Sequence, residues 1–248
     1  MRVEVFFGTT GLTANESAGR IVVVIDVLRA STTIATALAN GARTVIPLDS
    51  SDEVVTRAKA FDRSEVKLAG ERQMRPVAGF DLGNSPREFT RETIEGKTVL
   101  LSTTNGTAAI AAVQGPRDVV IGSYVNFSAV LTMLRAALRG GTDIAIVCAG
   151  SEKQFSLEDA ACAGRYVHHV TRRLPDVVLN DAALAGMLID RRYSDNLLRL
   201  FSASAHGRAL SEAGYGDDLA DCAAIDSYPV IPIYQDRQIT KLGPERAR

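Results

Sequence analysis

The chain has no tryptophan, and aromatic residues of all kinds make up 6% of its 248 positions. A stacking platform for unpaired bases is therefore not expected. It also lacks an excess of either charge: 28 Lys and Arg stand against 29 Asp and Glu, for a formal net charge of −1. No global field draws such a chain to nucleic acid or to an anionic membrane, so any anion must be held by local groups. The three cysteines, Cys148, Cys162 and Cys222, are odd in number and widely spaced. That suits neither a disulfide framework nor a zinc site, and a reducing cytoplasm is the default expectation. No apolar run reaches roughly 18 residues, so no transmembrane helix is expected. The strand-like opening, residues 2–7, is short and lacks a signal-peptide cleavage site. Gly-x-Ser-x-Gly, His-Glu-x-x-His and Gly-x-Gly-x-x-Gly are all missing.

What remains is an ordinary soluble composition, 46% hydrophobic and 23% charged. The length suits one compact α/β domain over residues 1–248, with a subdivision near 150–180 as the alternative. Strand and helix patterns alternate. Residues 20–25 form a continuous β-branched run, expected to be a strand buried on both faces. A helix is expected over 31–40, with Ser31 as its cap and Gly41 as its stop. Short strands are expected at 44–48 and 66–69, and further strands at 97–102, 118–122 and 143–148. Ser156 opens a long helix to about residue 173, short helices fill 180–224, and a hairpin closes the chain around Gln235-Asp236-Arg237. The fold class expected is α/β: a three-layer αβα arrangement on a largely parallel, mixed sheet, with C-terminal short helices and a terminal β-hairpin.

The polar clusters mostly fall just after these strands, at 26–31, 70–72, 103–107 and 148–151. Ligands of open α/β sheets bind outside the carboxyl ends of the strands, and four clusters at one edge are a stronger signal than any one alone. Asp26 follows five apolar residues, so its carboxylate needs a partner, whether a metal, Arg29 or helix N–H groups. The plainer alternative is a capping Asp paired with Arg29. Thr103-Thr104-Asn105-Gly106-Thr107 joins a strand to a helix, either as an anion cradle or as an ordinary capped turn. Glu71, Arg72, Arg75, Asp81 and Asn84 lie in one long loop, residues 70–84, of a length that is often functional. Glu158 and Asp159 in a first helical turn read as capping acids. His168 and His169 are expected on a helix surface, and His206 is open to either reading.

In order and spacing, these segments resemble the 2-phosphosulfolactate phosphatase family, named for a step of coenzyme M biosynthesis. The matching stretches are Val24-Ile25-Asp26-Val27-Leu28-Arg29-Ala30-Ser31-Thr32-Thr33, Gly70-Glu71-Arg72 and Gly79-Phe80-Asp81-Leu82-Gly83-Asn84-Ser85-Pro86. They continue with Thr103-Thr104-Asn105-Gly106-Thr107, Cys148-Ala149-Gly150, Glu158-Asp159, Ser204-Ala205-His206-Gly207 and Val230-Ile231-Pro232.

The resemblance implies a cytoplasmic, Mg²⁺-dependent phosphomonoesterase converting 2-phospho-3-sulfolactate to sulfolactate and phosphate. It raises Glu158 and Asp159 from caps to site candidates. Asp26, Arg29, Glu71 and Arg72 are the expected catalytic residues. Asp26, Glu71 and Asp159, then Asp81 and Glu158, are the expected Mg²⁺ ligands. Ser31, Thr32, Asn84, Ser85, Thr103, Thr104, Asn105, Gly106, Thr107, Cys148 and His206 are the expected substrate contacts. The partner expected is a small anionic substrate, with no nucleic acid and no membrane. Small α/β hydrolases often form homodimers, but no segment marks an interface. The rival readings are another phosphotransferase or lyase acting on small phosphorylated acids, and a non-catalytic anion-binding protein.

Overall fold

The computed structural model of the protein describes residues 1–10, 12–152, 154–174 and 176–243. Its strands are β1 (Arg2–Phe6), β2 (Ile21–Ile25), β3 (Thr44–Pro47), β4 (Val66–Arg72), β5 (Arg75–Pro76), β6 (Thr98–Ser102), β7 (Asp118–Gly122), β8 (Ile144–Cys148), β9 (Val178–Leu179), β10 (Pro232–Gln235) and β11 (Gln238–Lys241). Its α-helices are α1 (Ala14–Ser17), α2 (Ala30–Ala39), α3 (Ser51–Ala58), α4 (Arg91–Ile94), α5 (Gly106–Ala112), α6 (Phe127–Arg139), α7 (Leu157–Thr171), α8 (Asp181–Tyr193), α9 (Leu197–Ala203), α10 (Ala205–Leu210) and α11 (Gly216–Ala223). Among the described residues no helix is long and apolar enough to cross a membrane.

All strands join one mostly parallel sheet, in the order β5-β4-β6-β3-β11-β10-β7-β2-β8-β1-β9. The expected mixed α/β sheet flanked by helices is what forms. Its centre is not expected from the chain order. The terminal hairpin sits between β3 and β7, antiparallel to each. With three successive antiparallel pairings, β3, β6 and β4 run opposite to β7, β2, β8 and β1 along the ladder. The sheet is thus two parallel half-sheets of opposed direction, joined through the last strands of the chain.

Side-chain alternation along the first half-sheet explains its two coverings. Val23 and Ile25 of β2, with Ile144, Ile146 and Cys148 of β8, pack on one face against α6 and α7. Val22 and Val24, with Ala145 and Val147, point the other way and share a core with Ile34 and Leu38 of α2 and Ile110 of α5. Val45 of β3 and Val99 and Leu101 of β6 belong to that same core. The two half-sheets therefore close around α2 and α5, which is why α2 is buried along nearly its whole length. Helix α3 covers the outer side of β3, β4 and β6 through Val54. On the α6 side, α8 approaches α7 so closely that a Cβ on Gly164 would overlap the Gly186 carbonyl.

Two local expectations change. Strand β4 runs on through Gly70, Glu71 and Arg72 and turns back at once as β5, so the segment expected as an open loop begins as a tight hairpin. Ser31 does not cap α2. The helix starts one residue earlier, and the Ser31 Oγ accepts from the Asp26 N–H at 2.8 Å. The segment at 86–88 is a single 3-10 turn whose Glu88 carboxylate accepts from the Gly83 N–H.

Candidate active site

Asp26 is the first residue past β2 and its side chain is buried. The Ala30 N–H of α2 donates to Oδ1 at 3.3 Å, and Ser31 N donates to the Asp26 carbonyl at 2.8 Å. The strand thus delivers the carboxylate to the start of a buried helix, where the dipole favours its anion. Across the site lies Gly106, at the start of α5. A Cβ there would stand 2.5 Å from the Ala30 Cβ and 2.8 Å from Asp26 Oδ2, so only glycine admits this approach. Strands β2 and β6 are five places apart in the sheet, yet the turns after them touch.

Arg29 is buried, and its guanidinium has defined partners. Nη1 donates to Asp218 Oδ2 at 2.6 Å, Nη2 reaches the Met74 carbonyl at 3.4 Å, and the Tyr215 ring stacks 4.3 Å away. Asp218 accepts from the Ser85 hydroxyl through its other oxygen, at 2.6 Å. Asp218 and Tyr215 belong to the C-terminal helical segment and were missed in the sequence. An acid in the first turn of a short helix carries no more signal than capping.

Glu71 enters from β4. Its Oε1 accepts from the Thr104 N–H at 2.8 Å and its Oε2 from the Met74 N–H at 2.9 Å, which pins the β5 turn to the turn after β6. Two of the three hydroxyls expected to cradle an anion face inward, while Thr104 is exposed and lies on the cavity wall. Thr103 and Thr107 cap one another reciprocally, each hydroxyl accepting the other's N–H. Asn105 Oδ1 accepts from the Glu152 N–H and ties this turn to the loop after β8. Arg72 donates to the Ser102 carbonyl at 3.1 Å and hydroxyl at 2.7 Å, and it is not on the wall of the cavity.

Asp159, in the first turn of α7, joins the two central strand ends. Oδ1 accepts from the Val27 N–H at 2.9 Å and Oδ2 from the Gly150 N–H at 3.1 Å. Burial, then the charges of Asp26 and Glu158, push its pKa well up against those two hydrogen bonds. Glu158 is also buried and faces His206, with Oε1 3.6 Å from Nδ1. Burial works against both charges, but each group's partner prevails, so the Glu158 pKa is lowered and that of His206 raised. Ser204 positions His206 by capping α10. Thr32 bonds the Val27 carbonyl and the Ser123 hydroxyl, and Thr33 bonds the Asn84 carbonyl.

Two expected residues fall elsewhere. Asp81 pairs with Arg63 at 2.5 Å and accepts from the Leu68 N–H, away from the cavity. Cys148 is the last residue of a core strand, fully buried, with its thiol pKa pushed well up by burial. A side chain sealed in the core cannot meet a substrate.

The strand ends enclose a cavity of about 220 Å³ walled by Asp26, Arg29, Glu71, Asn84, Thr104, Asn105, Glu152 and His206, among others. Asp26 sets its electrostatics. Burial raises this carboxyl's pKa to about 6, with the charges of Glu71 and Glu158 adding and His206 and the Ala30 N–H opposing. Among the described residues, two buried oxygens are without a hydrogen-bond partner in this region, Asn84 Oδ1 on the cavity wall and Oε2 of Glu158, the residue that faces His206. Among the described residues no group of three or more His, Cys, Asp or Glu is arranged as a metal cage.

The sequence profile of 2-phosphosulpholactate phosphatase matches residues 8–237. A protein of Symbiobacterium thermophilum named "Probable 2-phosphosulfolactate phosphatase" is 42% identical over 229 residues, covering 92% of this chain and 97% of its own. One of the same name from Caldanaerobacter subterraneus subsp. tengcongensis is 39% identical over 211 residues, covering 85% of this chain and 86% of its own. Another, from Clostridium botulinum, is 33% identical over 242 residues, covering 98% of this chain and 100% of its own.

Proposed function

Because the chain belongs to the 2-phosphosulpholactate phosphatase family, whose named members are phosphoric-monoester hydrolases, we propose that it hydrolyses 2-phospho-3-sulfolactate, or a closely related phosphorylated three-carbon acid. The products are the free hydroxy acid and phosphate. The observation that carries this reading is the cavity itself. A buried carboxyl ionising near 6 faces an arginine held rigid by Asp218 and Tyr215.

Each residue has a role in that reaction. Arg29 grips substrate oxyanions with the guanidinium edge that Asp218 does not occupy, and its stacking on Tyr215 fixes the plane of the fork. Asp26 has the acidity of a general base poised for neutral pH, and it takes the proton of the attacking water. His206, whose hold on its proton Glu158 strengthens, faces the same cavity and donates a proton to the leaving hydroxy-acid oxygen. Glu71, Asp159 and Asn105 hold the walls together through backbone N–H groups, so the site arrives assembled.

The donor set fits a magnesium ion. The substrate carries a charge of about −4, while the wall offers Arg29 and His206 against Asp26, Glu71 and Glu152. A divalent cation would reduce that imbalance. Mg²⁺ keeps several waters and needs only one or two carboxylates. Glu158 Oε2 and Asn84 Oδ1, the buried oxygens without partners, would hold it beside Asp26. Bound there, it would supply charge neutralisation at the phosphoryl oxygens.

The test is phosphate release, measured with malachite green, from 2-phosphosulfolactate, phospholactate and phosphoglycerates, with and without Mg²⁺. Fastest release from 2-phosphosulfolactate is expected. Transfer to an added alcohol in place of water would make the protein a phosphotransferase, and binding without release would make it an anion-binding protein.

A further inference from the structure

At the ends of α6 and α7 distant from Asp26, a second cavity of about 250 Å³ is lined by Arg135, Arg139, Arg172 and Arg173. Helix α7 separates the two places. Glu158 lies in its first turn and Arg172 is its C-cap, and fifteen helical residues span roughly 22 Å.

Capping accounts for one of the four arginines. Arg135 donates from Nε and Nη2 to the His169 carbonyl, at 3.2 and 3.0 Å, and so satisfies the last turn of α7. The two helix C-termini together contribute a charge of about −1, which leaves an excess of about +3 on four guanidinium groups. Among the described residues none of the four forms an ion pair, although the chain carries 29 acids. Like charges gathered around one concavity without an acidic partner lack a counter-ion.

We propose that this cavity binds a small molecule bearing two linked phosphate groups. A diphosphate brings a charge of about −3, which balances the excess. Its non-bridging oxygens suit the paired N–H donors of several guanidinium forks converging from two helices. A single phosphate would leave part of the charge unmatched. A nucleic-acid strand needs a basic stripe along the surface, and this concavity is compact.

The probe is inorganic pyrophosphate, titrated calorimetrically into the full chain without added metal. Arg139 and Arg172 are exposed, so Arg139→Ala/Arg172→Ala is expected to keep its circular dichroism and melting temperature, with Arg172→Ala alone as the milder variant. The expected result is a binding event that survives Arg29→Ala and weakens at least about tenfold in the double arginine variant. Orthophosphate should bind more weakly than pyrophosphate. Three outcomes would overturn the proposal: no pyrophosphate binding, identical isotherms for the parent and the double variant, or binding lost only with Arg29. A short single-stranded oligonucleotide outcompeting pyrophosphate at these arginines would overturn the small-molecule assignment. None of these outcomes depends on the phosphatase reading, because no turnover is measured.

Discussion

Asp218 Oδ2 lies 2.6 Å from Arg29 Nη1, and both side chains are almost sealed from solvent. The pair joins the turn between β2 and α2 to a helix nearly two hundred residues later. A buried ion pair loses more from removal of one partner than from removal of both, because the survivor is left charged and unpaired.

A double-mutant cycle on that pair therefore has a definite shape. Asp218→Ala is expected to destabilise the fold by about 3 kcal/mol or more. Arg29→Ala/Asp218→Ala should lose about 1–3 kcal/mol less than the sum of the single changes. Urea unfolding measures all three. Additive losses would show that Asp218 does not position Arg29. Arg29→Ala should also lower kcat/KM by about a hundredfold or more.

Asp26 couples function to instability. Its carboxyl ionises at about 6 in the folded chain against 3.8 ordinarily. A group whose acidity is weakened by folding gives stability below its unfolded pKa, and that stability is lost as pH rises through the folded one. By neutral pH the cost is about 3 kcal/mol. In EDTA at pH 7, Asp26→Asn should therefore be more stable than the parent by about 1–3 kcal/mol, with the advantage gone near pH 4. Its kcat/KM should fall by about a hundredfold or more. A variant less stable than the parent at pH 7 contradicts the strain assigned to this carboxyl.

Glycine at 106 is a steric requirement. Gly106→Ala would press a methyl group on the Ala30 Cβ and Asp26 Oδ2. The expected loss is about 1–3 kcal/mol of stability, with activity falling more than stability explains. Thermal melts and steady-state kinetics on one preparation separate the two effects. Unchanged kinetics would mean the turn after β6 does not set the position of Asp26.

The metal and the nucleophile can be read together. EDTA should abolish phosphate release and Mg²⁺ restore it, and Glu158→Gln should weaken calorimetric Mg²⁺ binding at least about tenfold. A single turnover quenched in acid and reduced with borohydride should leave Asp26 unchanged in peptide mass spectra. Homoserine at position 26, the product of reducing an aspartyl phosphate, would make Asp26 a covalent nucleophile.

Strand-end logic made the site legible to a limited depth. Asp26 and Arg29 were visible because a carboxylate and a guanidinium directly after five buried apolar residues are conspicuous in one dimension. Glu71 was visible as a residue, but its work of holding the Met74 and Thr104 N–H groups depends on the β4–β5 hairpin, which nothing in Gly70-Glu71-Arg72 announced. Asp218 and Tyr215 were invisible, because their importance comes from packing on Arg29 across a long sequence separation. The threonine turn stayed open to two readings for a related reason. Sequence shows which hydroxyls are present, while their direction follows from the reciprocal capping of Thr103 and Thr107. The parallel sheet followed from alternating elements. Its reversal of direction at the centre did not, because the terminal hairpin alone produces it.

That hairpin also fixes the order in which the molecule can be completed during synthesis. Strands β10 and β11 follow every other strand in the chain, yet they occupy the middle of the sheet. Until they arrive, the half holding Asp26 and the half holding Glu71 share α2 and α5 but no strand-to-strand ladder. Each half can gather its own local contacts during elongation, while final registration of the two waits for the hairpin. A nascent chain stalled before Pro232 should expose the unpaired edges of β3 and β7 and remain inactive, and such edges recruit other chains. Catalytic competence in this protein thus waits on β10 and β11 taking their place between β3 and β7.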